Sequence, residues 1–248
     1  MMIHDQDILT PRLVLARPRI GENIGFVVRL QANFLVDELC IIDPMEGWRR
    51  GAVRTAAMCL ERLAEARILP DLGAALRDCT HVFGFTARSG SDRQVQDLHE
   101  HLFDALPRVA DPQTAAGQKL AFVFGNEESG LSSAEVAHCT RLFTIPLPGL
   151  DSLNLSHAVA IVLAEWNRHR YETEPSTPGC HPLIDHQGRQ LLAARIREGL
   201  ASLDYAVDDP HFDGMLRRLV ESAEIETRDA RILHKILKHL DWLQSSDS

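Results

Sequence analysis

Three stretches of the sequence place polar residues where chemistry could occur, and the first is residues 125–131 (GNEESGL). It follows an apolar run, residues 120–124, that has the composition of a buried strand. A glycine-containing loop between a strand and a helix is a common small-molecule site in α/β proteins. Because the loop holds two adjacent carboxylates and no lysine, it would repel phosphate and suits a neutral or cationic ligand. The alternative is a plain turn with solvated acids, since Gly, Asn and Ser are common in turns.

The second stretch, residues 146–154, follows the apolar run 142–147 and carries Ser152 and Asn154 at the start of a predicted helix. Ser152 could simply cap that helix, a role that is compatible with a binding site. Because both loops follow predicted strands, we expect them to surround one cofactor.

The third stretch, about a hundred residues upstream, contains Asn23 at a predicted helix start and Arg29 further along the same helix. Six residues correspond to about 600° of rotation, so the two side chains do not share a helix face. Apolar positions surround Arg29, and an arginine in such a setting should be paired or serve an interface. The alternative is a salt bridge at the rim, for example with Glu22 or Asp37.

The elements that would position these stretches alternate between strands and helices. Strands are predicted at residues 12–17, 38–42, 68–69, 80–86, 120–124 and 141–145, and helices at 24–34, 51–64, 71–78, 94–106, 132–135 and 152–168. Asn23, Asp71 and Ser132 are their predicted caps, the last in a capping box with Glu135. This alternation predicts an α/β domain around a mostly parallel sheet, whose ligands bind at the carboxyl ends of the strands. The loops 18–25, 86–90, 125–131 and 146–154 are therefore expected to meet there.

The composition changes after this region. Residues 171–187 are polar and hold several prolines, which predicts a linker between a domain at 1–170 and a helical extension at 188–248. Helices are predicted there at 189–203, 210–221 and 227–243, with Asp209 as an N-cap before Pro210. About sixty residues make a small independent domain, so we expect the extension to pack on the first domain or on a partner chain.

Composition limits the classes of protein that this chain can represent. The 248 residues include 45% hydrophobic residues and carry a net charge of −9, which argues against a generally basic nucleic-acid binder but not against a local basic face. No apolar run reaches the length of a membrane span, and no secretory signal is evident, so a cytoplasmic location is expected. The five cysteines are scattered and favour reduced thiols. No metal site is expected, since paired ligand spacing is missing.

Taken together, the three stretches resemble the SPOUT (SpoU-type) superfamily of S-adenosylmethionine-dependent RNA methyltransferases, and most of all its TrmJ group, which methylates the 2′-hydroxyl of nucleotide 32 in the tRNA anticodon loop. The matching residues are Asn23-Ile24-Gly25 with Arg29 and Asn33-Phe34; Phe124-Gly125-Asn126-Glu127 with Gly130-Leu131-Ser132; Ile145-Pro146 with Ser152-Leu153-Asn154-Leu155 and Ala158; and Thr86-Ala87-Arg88-Ser89. The resemblance covers residues 10–168 well and the extension more loosely.

The resemblance implies a deep trefoil knot, which is very rare among folds, and a homodimer with its active site at the subunit interface. It implies a cofactor pocket made of Thr86, Ala87, Gly125, Ile145, Leu147 and Leu153. It further assigns Asn23, Arg29, Glu127, Ser152 and Asn154 to catalysis and RNA positioning, with Arg88 as an additional tRNA contact. Two departures are visible: Leu35-Val36 stands where the family usually has Gly, and the loop 149–151 is short.

The reaction implied is attack of a ribose 2′-oxygen on the sulfonium methyl group. Guanidinium does not readily lose its proton at neutral pH, so we expect Arg29 to stabilise the developing alkoxide while a nearby phosphate takes the proton. Glu127 is expected to orient Arg29, across the dimer interface. Two alternatives stay open: methylation of rRNA or another tRNA position, and a knotted RNA-binding module without turnover.

Overall fold

The computed structural model describes residues 9–87, 94–107, 117–150, 152–172, 182–203, 205 and 207–246. Seven strands form its central sheet: β1 (Pro11–Ala16), β2 (Leu39–Ile42), β3 (Arg67–Leu69), β4 (His81–Phe85), β5 (Val95–Asp97), β6 (Leu120–Phe124) and β7 (Arg141–Thr144). Their order is β3-β2-β1-β6-β4-β7-β5, and every pair is parallel. The predicted α/β class with a parallel sheet is confirmed.

Helices cover both faces of this sheet. They are α1 (Gly21–Asn33), α2 (Trp48–Ala56), α3 (Leu60–Glu65), α4 (Leu72–Leu76), α5 (Leu98–Ala105), α6 (Ser133–Val136) and α7 (Leu155–Glu172), followed by α8 (His186–Ala201), α9 (Pro210–Leu216) and α10 (Thr227–Ser246). Alternate residues of β1 point to opposite faces, so Leu13 and Leu15 join one core while Val14 and Ala16 join the other. Helices α1, α2, α3, α5 and α7 bury their apolar sides in the first core, and α4 does so in the second.

Several predicted boundaries are wrong. The predicted helix at 94–106 begins with β5, which pairs with β7 and so satisfies backbone groups at the edge of that strand; α5 starts only after Asp97 caps it. Asn23 lies inside α1, whose N-cap residue is Ile20. Helix α7 begins at Leu155 rather than Ser152, because the Asn154 side chain accepts the backbone N–H of Ser156.

The predicted helix at 51–64 is broken where Ala57 has a φ of 51°. Helix α2 ends just before it, and a short 3₁₀ turn, Ala57–Cys59, leads into α3. The caps predicted at Asp71, Asp209 and Ser132 are confirmed, the last as a complete capping box with Glu135.

A seam of glycines joins α1 to α2. A Cβ atom on Gly25 would lie 2.1 Å from Thr55 Oγ1 and 2.3 Å from the Ala52 carbonyl oxygen. A Cβ atom on Gly21 would lie 2.1 Å from the Trp48 carbonyl oxygen. These distances leave no room for a side chain, so the two helix backbones touch directly along the seam.

The helical extension packs on the amino edge of the sheet, where the strands begin. The Arg189 side chain is fully buried and donates to the carbonyl oxygens of Thr80 (2.8 Å) and Ile184 (3.2 Å). Glu224 accepts two hydrogen bonds from Arg141, the first residue of β7, at 3.1 and 3.0 Å. The extension also has its own core, which includes Leu192 and Phe212.

The predicted linker at 171–187 is helical at both of its ends. Helix α7 continues to Glu172 and α8 already begins at His186. Residues 173–181 between them lie outside the described part of the chain. None of the helices in the described residues is both long and apolar enough to cross a membrane.

Candidate active site

A cavity of about 310 Å³ opens at the carboxyl ends of β4, β6 and β7. Its size falls at the lower end of the range of small-molecule pockets. All six residues predicted to bind a cofactor line it: Thr86, Ala87, Gly125, Ile145, Leu147 and Leu153. Glu127 and Ser152 line it as well, so two of the five predicted catalytic residues also face the cavity.

The loop after β6 is folded back on itself. A Cβ atom on Gly125 would lie 2.0 Å from the Gly130 carbonyl carbon, and Gly130 has a φ of 63°, so both positions favour glycine. The Asn126 side-chain oxygen accepts the backbone N–H groups of Glu128 (3.1 Å) and Ser129 (2.7 Å). These contacts hold the acidic loop in one shape at the cavity wall.

A chain of hydrogen bonds connects the three predicted motifs. Asn23 Nδ2 donates to Glu127 Oε1 at 2.7 Å, and Asn154 Nδ2 donates to Asn23 Oδ1 at 2.9 Å. Glu127 also accepts the backbone N–H groups of Arg19 (2.8 Å) and Ile20 (3.2 Å) at the start of α1. A carboxylate is favoured there, because the N-terminal end of a helix carries partial positive charge. The structure therefore brings Asn23, Glu127 and Asn154 together beside the cavity.

Arg29 lies apart from this group, on the exposed face of α1. Neither example given for a rim salt bridge is seen, because Glu22 pairs with Arg54, and no ion pair joins Arg29 to Asp37. The hydrogen-bond partners of the Glu127 carboxylate are Arg19, Ile20 and Asn23, and Arg29 is not among them. Arg88, the other predicted RNA contact, lies outside the described residues.

A shallow pocket lies next to Arg29 between α1 and α7. It is lined by Phe26, Arg29, Leu30, Asn33, Ser156, His157 and Ala160. Phe26 is 41% exposed, which is high for an aromatic side chain on a folded surface. The side chain of Arg29 therefore sits at an exposed, partly apolar surface and not at the cavity of its own chain.

One contact next to the acidic loop was not foreseen from the sequence. Arg17, at the end of β1, forms a bidentate pair with Glu135, with both distances 2.8 Å, and also donates to the Gly130 carbonyl oxygen at 3.3 Å. Burial acts to raise the pKa of Glu135, but the hydrogen bonds from Arg17 and Ser132 outweigh it and lower that pKa. This pair ties the acidic loop to β1. The capping box pointed to Glu135, but no local pattern connects it with a residue so distant in sequence.

The cavity suits a cationic cofactor with an apolar part. Its walls combine the side chains of Phe85, Ile145 and Leu153 with the carboxylate-bearing loop of Glu127 and Glu128. In the described ranges no cluster of three or more His, Cys, Asp or Glu residues could hold a metal ion. The apolar walls and the acidic loop together fit an organic cation.

The fold and the site together define an α/β protein with a cofactor-sized cavity at the carboxyl edge of a parallel sheet, closed by an acidic glycine loop. Residues 10–164 match the SpoU rRNA Methylase family. The chain belongs to this SpoU methylase family, and the resemblance based on the three motifs is confirmed.

Related proteins match over most of the chain. A tRNA (cytidine-2′-O-)-methyltransferase TrmJ of Sulfolobus acidocaldarius is 30% identical over 94% of this chain and 95% of its own length. A tRNA (cytidine/uridine-2′-O-)-methyltransferase TrmJ of Escherichia coli is 29% identical over 93% of this chain and 94% of its own.

Solved structures share the same fold. The crystal structure of TrmJ from Z. mobilis ZM4 superposes with a TM-score of 0.73 at 26% identity, covering 93% of this chain and 99% of that one. The SpoU methyltransferase AviRb from Streptomyces viridochromogenes, solved in complex with AdoMet, superposes with a TM-score of 0.52 at 20% identity, over 69% of this chain and 62% of that one. The second match supports the fold alone.

Proposed function

We propose that this protein transfers a methyl group from S-adenosylmethionine to a ribose 2′-hydroxyl of tRNA, at nucleotide 32 of the anticodon loop. The observation that carries the proposal is the cavity, where six predicted cofactor residues meet Glu127 next to the Asn23–Asn154 pair. The two TrmJ relatives, which match over more than nine-tenths of the chain, support tRNA as the substrate class.

The cofactor would be held by the loops after β4, β6 and β7. Thr86, Ala87 and Gly125 offer backbone groups, while Ile145, Leu147 and Leu153 form apolar walls. When bound, S-adenosylmethionine supplies an electrophilic methyl group. The carboxylate-bearing loop complements its positive charge, and the rigid loop pays little conformational entropy on binding.

Arg29 would act on the nucleophile. A hydroxyl attacks only as its proton leaves, and a guanidinium near the 2′-oxygen stabilises the alkoxide that develops. Bound S-adenosylmethionine would supply the methyl carbon that joins the 2′-oxygen and would keep the electron pair of its sulfur–carbon bond, while the 2′-hydroxyl proton would pass to a neighbouring phosphate oxygen of the RNA. Ser152 and Asn154, at the start of α7, would position the ribose, and Arg88 would contact tRNA.

A homodimer would bring Arg29 of one chain to the cavity of its partner. Arg29 is exposed, stays away from the cavity of its own chain and sits beside the partly apolar pocket between α1 and α7. A Phe26→Asp variant is expected to be monomeric by sedimentation and inactive. Full activity in a monomer would contradict the shared site.

Three further parts of the proposal follow from the family. The loops after β6 and β7 would form the trefoil knot, and the protein would work in the cytoplasm.

Residues 1–170 would form the methyltransferase domain, joined through 171–187 to the extension at 188–248. Limited proteolysis that cuts within 173–181 and leaves two stable fragments would support this division.

Transfer of labelled methyl groups from S-adenosylmethionine to bulk tRNA, followed by mapping of the nucleotide, tests the proposed reaction. We expect 2′-O-methylation at nucleotide 32. Label in rRNA, or at another tRNA position, would support the other enzymatic reading. Binding of tRNA and cofactor without any transfer would instead support an RNA-binding module.

A further inference from the structure

We propose that the first turn of α2, residues 48–50, is a docking surface for the phosphate backbone of the RNA next to the target nucleotide. The inference rests on the proposed function, since it names the surface that presents the substrate to the site. The surface consists of Trp48, Arg49 and Arg50, none of which belongs to the three family motifs.

The location of this turn follows from backbone contacts. Strand β2 ends at Ile42, so the segment that leads into α2 leaves the sheet at its carboxyl edge, where the cavity opens. The Met45 N–H donates to the Pro18 carbonyl oxygen at 3.0 Å, which joins this segment to the loop before α1. That loop supplies the Arg19 and Ile20 N–H groups that Glu127 accepts. The first turn of α2 therefore lies directly against the first turn of α1, where a Cβ atom on Gly21 would lie 2.1 Å from the Trp48 carbonyl oxygen.

The charge of this turn differs from that of the chain. The protein has a net charge of −9, but α2 contains three arginines and no acidic residue. Arg54 pairs with Glu22, and Arg19, in the neighbouring loop, pairs with Glu128. Arg49 and Arg50 are exposed, and their side chains make no ion pair or hydrogen bond with any described residue. Both guanidinium groups are thus available to a ligand outside the chain, although the exposed Glu46 nearby weakens their field somewhat.

The chemistry of the turn fits nucleic acid in particular. Guanidinium groups bind phosphate oxygens in a bidentate fashion, and two adjacent ones can contact consecutive phosphates. The Arg49 guanidinium lies over the Trp48 ring, 4.8 Å from its centroid, and this contact orients the cation. A partly exposed ring with a stacked cation also resembles the platforms on which unpaired bases stack. Because the surface adjoins the proposed methyl-transfer site, RNA is its expected occupant.

The test measures binding of fluorescently labelled bulk tRNA by anisotropy at several salt concentrations. Each phosphate contact contributes slightly less than one unit to the slope of log K against log salt concentration. The R49Q/R50Q double variant should therefore lose about two units of slope and bind tRNA on the order of tenfold more weakly at moderate salt. Its affinity for S-adenosylmethionine should equal that of the wild type.

Two variants serve as controls. Arg67 is 53% exposed at the start of β3, on the amino edge of the sheet, so R67Q removes an exposed arginine away from the site. R67Q should leave tRNA binding and its salt slope unchanged. The R49K/R50K variant keeps both charges and should restore most of the slope, which a merely structural role of the arginines would not predict.

The outcomes separate this inference from the proposed function. If R49Q/R50Q binds tRNA with the wild-type affinity and slope, the docking surface is wrong, whether or not the wild type transfers methyl groups. An equal loss in R67Q would also overturn it, because the effect would then be general. If the wild type binds tRNA through Arg49 and Arg50 but transfers no methyl group, the surface stands and the proposed function is wrong.

Discussion

The two edges of the parallel sheet both carry many charged residues, but the partners of those residues differ. At the amino edge, Arg12 is 5% exposed and pairs with Glu38 at 2.6 Å and Asp78 at 2.7 Å. Arg141 and Glu224 form a second pair there, between β7 and the helical extension. Arg49 and Arg50 at the carboxyl edge, and Arg29 further along α1, are exposed, and their side chains have no carboxylate partner among the described residues.

This difference separates charges that hold the fold from charges that are available to a ligand. Burial alone would raise the pKa of Glu224, but hydrogen bonds from His81 and Arg141 lower it to about 2. The charged residues of the amino edge thus form ion pairs with one another. The carboxyl edge instead combines a rigid chain of hydrogen bonds through Asn23 with arginines that stay exposed. A charged residue therefore points to function only once its partners are known.

The largest effect is expected from Glu224→Ala at the amino edge. Removing this carboxylate leaves Arg141 without its partner under the extension, which should lower the free energy of unfolding by about 3 kcal/mol. Urea denaturation would measure the loss. As a matched control, Glu198 is 69% exposed and pairs with Arg195 on the surface, so Glu198→Ala should cost less than about 0.5 kcal/mol. Similar losses in both variants would show that the Arg141–Glu224 pair contributes no more than a surface pair.

Arg29→Ala should lower the activity and leave the stability unchanged. Methyl transfer should slow about 10²-fold, equivalent to about 2.7 kcal/mol, because one electrostatic stabiliser of the alkoxide is lost. The free energy of unfolding and the affinity for S-adenosylmethionine should stay close to wild type, since Arg29 is exposed and away from the cavity of its own chain. Wild-type turnover on a competent tRNA would refute the role of Arg29.

A pH effect should arise at the amino edge from His186, which is 1% exposed and lies 3.1 Å from the ring nitrogen of His138. The pKa of His186 is lowered to about 3. Burial is the largest cause, and the neighbouring His138 and Arg189 lower the pKa further. In the unfolded chain that pKa is about 6.5, so between these values the unfolded state binds the extra proton and stability falls as the pH drops. At pH 5.5 the loss should be about 1.4 kcal/mol relative to pH 8.

Denaturation of wild type and His186→Gln at both pH values would measure this contribution. The variant should show a smaller difference between the two pH values, whereas His211→Gln, at an exposed histidine, should behave as the wild type does. If His186→Gln retains the full wild-type difference, His186 is not its source.

The smallest effect concerns Leu35, in the turn after α1, where the sequence departs from its family. The N–H groups of Leu35 and Val36 donate to the carbonyl oxygens of Ala32 and Gln31, which is a Schellman ending, and Leu35 has a φ of 53°. Leu35 is also 64% exposed, so it contributes little to the core. Leu35→Gly should therefore raise the free energy of unfolding by about 0.5–1 kcal/mol without changing methyl transfer. A lower melting temperature would contradict the expected relief of strain at Leu35.

Much of the sheet could be predicted from the sequence because its strands are apolar runs between clear turn residues. The meeting of Asn23, Glu127 and Asn154 followed from a general property of parallel sheets, whose strand ends share one edge, together with the family motifs. The strand Val95–Asp97 could not be foreseen, since three residues carry too little pattern and their pairing depends on β7. The Arg17–Glu135 pair and the pairing of Arg141 with Glu224 were missed for the same reason: each depends on tertiary contacts.

The glycine seam between α1 and α2 fixes the positions of the two helices relative to each other. With backbone against backbone at Gly21 and Gly25, α2 cannot slide or rotate along α1 without a steric clash. The proposed docking surface on the first turn of α2 would therefore stand at a fixed separation from the Asn23 end of α1. RNA that curves too little or too much would miss one of the two points, so the nucleic acid, and not the protein, has to adapt its shape. The fixed spacing of α1 and α2 would then favour a tightly bent RNA loop over a regular RNA helix.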